Sequence, residues 1–77
     1  MPTRTLNELK PGEKGKIAAV RGSGGTHRRL LDMGLVSGSE VEVERVAPLG
    51  DPVEVRIKGY HLTLRKEEAA KIDVEVG

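Results

Sequence analysis

The sequence predicts a small, mainly β domain in which five short strands close into a barrel and one short α-helix is inserted after the first strand. Three observations carry that reading. From Glu40 onward apolar residues alternate with polar ones at the period of a strand, whereas a helical-period segment, His27 to Met33, precedes them. The apolar residues are mainly Val, Leu and Ile, with Tyr60 the sole aromatic, a composition that suits half-buried strands around an aliphatic core. A length of 77 residues fits one domain, spanning residues 1–77, and so short a chain buries only about 60% of the surface its unfolded form exposes.

The elements follow in order. Thr5-Leu6-Asn7-Glu8-Leu9 is expected to form one helical turn with Leu6 and Leu9 on the same side, and Lys10-Pro11-Gly12-Glu13 a turn with proline at its second position. The first strand then runs from about Gly15 to Arg21. Ile17 and Ala19 share one face, but Ala18 and Val20 on the other are apolar too, so both faces are expected to be covered, one of them by a helix. Gly22-Ser23-Gly24-Gly25 is a joint leading to that helix. Thr26 is its expected N-cap, and His27, Leu30 and Leu31 fall on neighbouring surface at i, i+3 and i+4. Gly34 ends it in the left-handed conformation, which folds Leu35 back onto Leu30.

Val36-Ser37-Gly38-Ser39 turns the chain into the second strand, where Val41 and Val43 alternate with Glu40, Glu42 and Glu44. Arg45-Val46 breaks the phase, as a β-bulge does. Val53, Val55 and Ile57 share a face opposite Glu54, Arg56 and Lys58. Across a tight Lys58-Gly59 hairpin, Tyr60, Leu62 and Leu64 resume the alternation against His61, Thr63 and Arg65. Lys66 to Lys71 has the composition of a short helical turn, and Ile72, Val74 and Val76 form the closing strand. Closure into a barrel is expected to remove the free edges that such strands would otherwise expose.

Composition excludes several function classes. There is no cysteine, hence no disulfide or thiolate metal site, which fits a reducing compartment and makes the cytoplasm the expected location. No stretch approaches the ~20 apolar residues of a membrane span, and Met1 to Lys10 lacks the apolar run of a signal peptide, so neither insertion nor export is expected. Thirteen Lys and Arg against twelve Asp and Glu, interleaved along the chain, leave a net charge of +1 and no nucleic-acid footprint. Without Phe or Trp there is no platform on which unpaired bases can stack.

Particular residues carry a family pattern. Arg28-Arg29-Leu30-Leu31-Asp32-Met33-Gly34-Leu35, then Gly38, then Arg45-Val46-Ala47-Pro48-Leu49-Gly50-Asp51-Pro52, then Arg56-Ile57-Lys58-Gly59-Tyr60 with Leu62, Leu64 and Arg65, resembles the ferrous iron transport protein A (FeoA) family. The resemblance spans about Leu6 to Val74, and its specific parts are the Arg-Leu-Leu-Asp-Met-Gly-Leu helix end and the Ala-Pro-Leu-Gly-Asp-Pro loop. It implies an SH3-like barrel, a fold found also at the C-terminal end of iron-dependent repressors. It further implies a role in ferrous iron uptake beside FeoB, a membrane GTPase that would recruit the chain to the inner face of the membrane.

Arg28, Arg29, Asp32 and Met33 at the helix end, and Pro48, Leu49, Gly50 and Asp51 in the loop, are therefore the expected partner-binding residues. Each has a plainer reading. Asp32 sits at the unfavourable end of the helix dipole, and a salt bridge to Arg28 four residues back would offset that. The two prolines preorder the loop, which either presents Leu49 to a partner at small entropic cost or tucks it back onto the barrel. Gly22 to Thr26 lies where backbone N–H groups bind phosphate, but no Lys-Ser or Lys-Thr follows, and a hinge is the better reading. His27 and His61 are too few for a metal site. His27 is expected at the barrel–helix junction and His61 on the outer strand face.

No catalytic group, metal or cofactor is expected, and a domain of this size has little room for an enclosed pocket. The expected function is a non-enzymatic module, monomeric or weakly dimeric, that docks onto a FeoB-like GTPase and modulates its activity or assembly. The rival is a metal-responsive or nucleic-acid-associated regulatory barrel of the same fold; the near-neutral charge argues against its nucleic-acid form only.

Overall fold

A computed structural model describes residues 3–22 and 24–76. Strands β1 (Thr3–Thr5), β2 (Lys14–Val20), β3 (Glu40–Val46), β4 (Val53–Ile57), β5 (Tyr60–Leu64) and β6 (Ile72–Val76) form one six-stranded sheet in the order β1-β6-β2-β3-β4-β5. Every neighbouring pair is antiparallel. Helix α1 (Gly24–Asp32), a short helix α2 (Lys66–Ala69) and a 3-10 turn at Leu6–Glu8 complete the fold.

The mainly β architecture and its inserted helix match the reading of the sequence, but two features do not. There are six strands among the described residues, not five, because Thr3–Thr5 pairs with β6, Arg4 lying opposite Val74. Three residues without apolar alternation carry no period, and their partner lies at the far end of the chain. The sheet also stays open. Among the described residues β1 and β5 are its edges and do not pair with each other, so strand pairing there does not close a barrel. Side chains from outside the sheet fill the interior instead: Leu6, Leu9, Leu30, Leu35 and Ala69 belong to the same buried cluster as Ile17, Val41, Val43, Val53, Val55, Ile57, Leu64, Ile72 and Val74.

The local signals set the details. β2 begins at Lys14, and its register against β6 shifts between Ile17 and Ala19. That bulge sends both Ile17 and Val20 toward the core, which accounts for the unbroken apolar run, and α1 packs beside the same strand. The phase break in β3 is a second bulge, between Val43 and Arg45, after which Val46 pairs with Val53. At the β4–β5 turn Lys58 and Gly59 both have positive φ, 50° and 84°, as a two-residue type I′ hairpin requires. The turn at Lys10–Glu13 closes with a 2.9 Å bond from the Glu13 N–H to the Lys10 carbonyl.

Candidate functional site

α1 begins at Gly24, two residues before the expected cap at Thr26, and the preceding Ser23 lies outside the described residues. Its C-terminus follows the sequence reading closely. Gly34 has φ 92°, the Gly34 N–H donates to the Leu31 carbonyl at 2.9 Å, and the Leu35 N–H donates to the Leu30 carbonyl at 3.1 Å. These are the two bonds of a Schellman cap, and the Leu30–Leu35 apolar contact that accompanies it lies fully in the core. The Tyr60 hydroxyl then donates to the Met33 carbonyl, fastening the helix end to β5. Arg28, Arg29 and Asp32 remain exposed and Met33 is half-buried against the core.

The 47–52 loop does not tuck its leucine away. Leu49 is 89% exposed, far more than Leu31 at 38% or Tyr60 at 41%, the other exposed large apolar residues among those described. The backbone behind it is tied at several points. The Gly50 N–H donates to the Ala47 carbonyl at 2.7 Å, and the Ala47 N–H donates to the Pro52 carbonyl at 3.1 Å. The Asp51 carboxylate accepts from the Lys66 backbone N–H at 3.0 Å, at the first residue of α2. The Asp51-Pro52 peptide is cis. A shallow groove beside the loop is lined by Asn7, Asp51, Pro52, Arg65, Lys66 and Glu67.

Between loop and helix lies a residue the sequence did not single out. Glu68 is 5% exposed, the buried charged residue among those described. One carboxylate oxygen accepts from the Arg65 backbone N–H at 2.9 Å, capping α2, and the other pairs with the Arg29 guanidinium. The expected Arg28–Asp32 salt bridge is absent among the described residues. Arg29, one position on, reaches across to α2 instead, because Glu68 is held out of water with an unfilled acceptor while Asp32 is solvated. The sequence signal is the Glu three residues after the cap position at Arg65, a weak one because Arg is not a usual cap. Arg29, Glu68, the start of α2 and Asp51 thus form a continuous polar strut that joins the two segments of the expected site.

The two histidines lie in different settings. His27 is half-buried and lines a hollow with Gly22, Gly25, Arg28 and Leu31, while His61 lies exposed on β5 and pairs through Nδ1 with Glu44. Among the described residues no three His, Cys, Asp or Glu side chains cluster to hold an ion.

A family model described as FeoA domain matches residues 4–76. The chain belongs to the FeoA family. It is 46% identical over 71 residues, 92% of its length, to a Fe(2+) transport protein A/Fe(2+) transporter FeoB fusion protein of Porphyromonas gingivalis. It spans only 8% of that relative. Among solved structures, a FeoA-like protein from Clostridium acetobutylicum is 41% identical with a TM-score of 0.89, covering 99% of this chain and 88% of the other. FeoA of Stenotrophomonas maltophilia in complex with zinc, described as a prokaryotic SH3 domain protein, is 29% identical with a TM-score of 0.82, covering 94% and 89%. The FeoA family is thereby linked to ferrous iron transport, and the SH3-like reading of this sheet stands. In this chain no helix among the described residues is long and apolar enough to cross a membrane.

Proposed function

We propose that the chain is a non-enzymatic accessory of ferrous iron uptake that docks onto the cytosolic part of a FeoB-type membrane GTPase and modulates its activity or assembly. One observation carries the docking: a leucine 89% exposed at the tip of a loop whose backbone is hydrogen-bonded on both sides of it. Burying such a side chain releases about 1.5–3 kcal/mol of hydrophobic free energy, and a loop already ordered loses little entropy in doing so. Pro48, Leu49, Gly50 and Asp51 form the loop contact in this reading, with Leu49 its apolar centre, and Arg28, Asp32 and Met33 form a second contact at the end of α1. Arg29 has a different part. Its guanidinium is engaged by Glu68, so it holds the two contacts in fixed relation.

The Porphyromonas gingivalis relative supports the choice of partner, since a single chain there joins the two activities named in its description. The Stenotrophomonas maltophilia relative, put forward as a ferrous iron transport activating factor, supports an action on the transporter. The ferrous ion is the transporter's substrate in this scheme. The chain acts in the cytoplasm, drawn to the membrane by its partner. The test is calorimetry of the full chain against the transporter's soluble GTPase domain, apo, with GDP and with a non-hydrolysable GTP analogue. Micromolar binding in at least one state that Leu49→Asp abolishes is expected. No binding in any state, with iron uptake unchanged in cells lacking the chain, rejects the proposal.

A further inference from the structure

The open sheet leaves β5 as an edge, and its composition is unusual for one. Natural edges are shortened or charged to prevent pairing. β1, the other edge, is three residues long and carries Arg4, whereas β5 presents Tyr60-His61-Leu62-Thr63-Leu64 without a carboxylate, lysine, arginine, proline or glycine. The register fixes which backbone groups are free. Ile57 opposite Tyr60 closes the two-residue hairpin and is a hydrogen-bonded pair. Leu62 and Leu64 therefore also bond inward to β4, and the N–H and C=O of His61 and Thr63 point away from the sheet. No backbone or side-chain bond among the described residues engages those outward groups. On the core side of the same edge, the half-buried Met33 and Leu62 and the 41% exposed Tyr60 make an apolar strip.

We infer that the free edge of β5 receives an extended strand of the partner protein, apolar at alternate residues and acidic at both ends. This rests on the docking function proposed above and names where a second, backbone-mediated contact forms. The hydrogen bonds come from His61 and Thr63, and an alternating strand places every second side chain over Tyr60, Leu62 and Met33. Charge selects the ends. Lys58 precedes the strand and Arg65 and Lys66 follow it; Arg65 meets only Glu67, at 3.9 Å, and Lys58 makes no salt bridge among the described residues. The same charges disfavour a second copy of this chain. Two β5 strands paired antiparallel about Leu62 bring Lys58 of each beside Arg65 and Lys66 of the other, clustering cations at both ends.

The test uses the full chain and the transporter's soluble cytosolic domain, with Thr63→Pro and Thr63→Val. Proline removes the outward N–H yet is tolerated at an edge, where no ladder bond is lost; valine keeps the N–H. Thr63→Pro is expected to weaken binding about tenfold or more with Thr63→Val unchanged. Lys58→Asp, whose short side chain tolerates positive φ, weakens it severalfold. In wild type, amide exchange at His61 and Thr63, rapid in the free chain, slows in the complex, a readout that holds even if the proline variant folds poorly. Binding that protects the 47–52 loop but leaves both amides rapid overturns the edge contact and spares the docking function. Absence of binding by wild type rejects both. Protection that depends on the chain's own concentration, with a dimer in sedimentation, makes a second copy the occupant and overturns the inference.

Discussion

Glu68 offers a direct measure of the strut that links α1 to the 47–52 loop. Replacing it with glutamine keeps the size and the ability to cap the Arg65 N–H but removes the charge that holds Arg29. Because the Arg29 side chain is 54% exposed, water recovers much of its lost partner, and the charge-assisted bond is worth about 1 kcal/mol here and not the several expected of a fully buried pair. Alanine also removes the cap, another ~1 kcal/mol, and leaves a small void in the packed interior. The expected losses are therefore about 1 kcal/mol for Glu68→Gln and about 2–3 kcal/mol for Glu68→Ala. For a domain of this size each kcal/mol lowers Tm by about 4–8 °C. Urea denaturation at neutral pH measures this, with Glu67→Gln, 74% exposed, as a control expected within about 0.5 kcal/mol of wild type. A double-mutant cycle with Arg29→Ala should return a coupling of about 0.5–1 kcal/mol. Additivity within ~0.3 kcal/mol, or a Glu68→Gln variant as stable as wild type, would refute the strut.

Three further outcomes are expected. Gly34→Ala forces a β-carbon into the left-handed region, 2.5 Å from the Tyr60 hydroxyl, so it should cost about 1–3 kcal/mol in denaturant melts and loosen the end of α1. Leu49→Ala should leave Tm unchanged within error, since the side chain packs on little of its own fold, while weakening capture of the transporter's cytosolic domain; a lowered Tm would mean the leucine is structural. Glu8 ionises below its ordinary value of 4.5, mainly because its carboxylate accepts from the Thr5 backbone N–H, with the Thr5 hydroxyl and Arg4 adding to the effect. A carboxylate depressed by folding stabilises fully above its unfolded value and loses that contribution as pH falls through the folded one. The gap between wild type and Glu8→Gln in urea midpoints should thus be constant at neutral pH and close on acidification; a gap independent of pH would refute the assignment.

What the sequence by itself determined is whatever is encoded within a few residues. The Schellman stop at Gly34-Leu35, the Lys58-Gly59 hairpin, the bulge after Val43 and the inward sets Val53, Val55, Ile57 and Ile72, Val74 were all legible, because φ preference and side-chain period are local properties. The two segments of the candidate site were legible as motifs. Their linkage was not. Arg29 and Glu68 lie 39 residues apart, and no local rule says which of Arg28 and Arg29 turns toward a carboxylate that only folding brings near. The tertiary structure alone decided that Leu49 stands in solvent, that Thr3–Thr5 becomes a strand, and that the sheet stops short of closure with β5 uncovered. Each depends on how distant segments divide the limited interior of a small domain. The 3-10 turn after β1 and α2 after β5 contact each other, and Leu6, Leu9 and Ala69 enter the core from those segments, so the interior is completed without a β1–β5 strand pair.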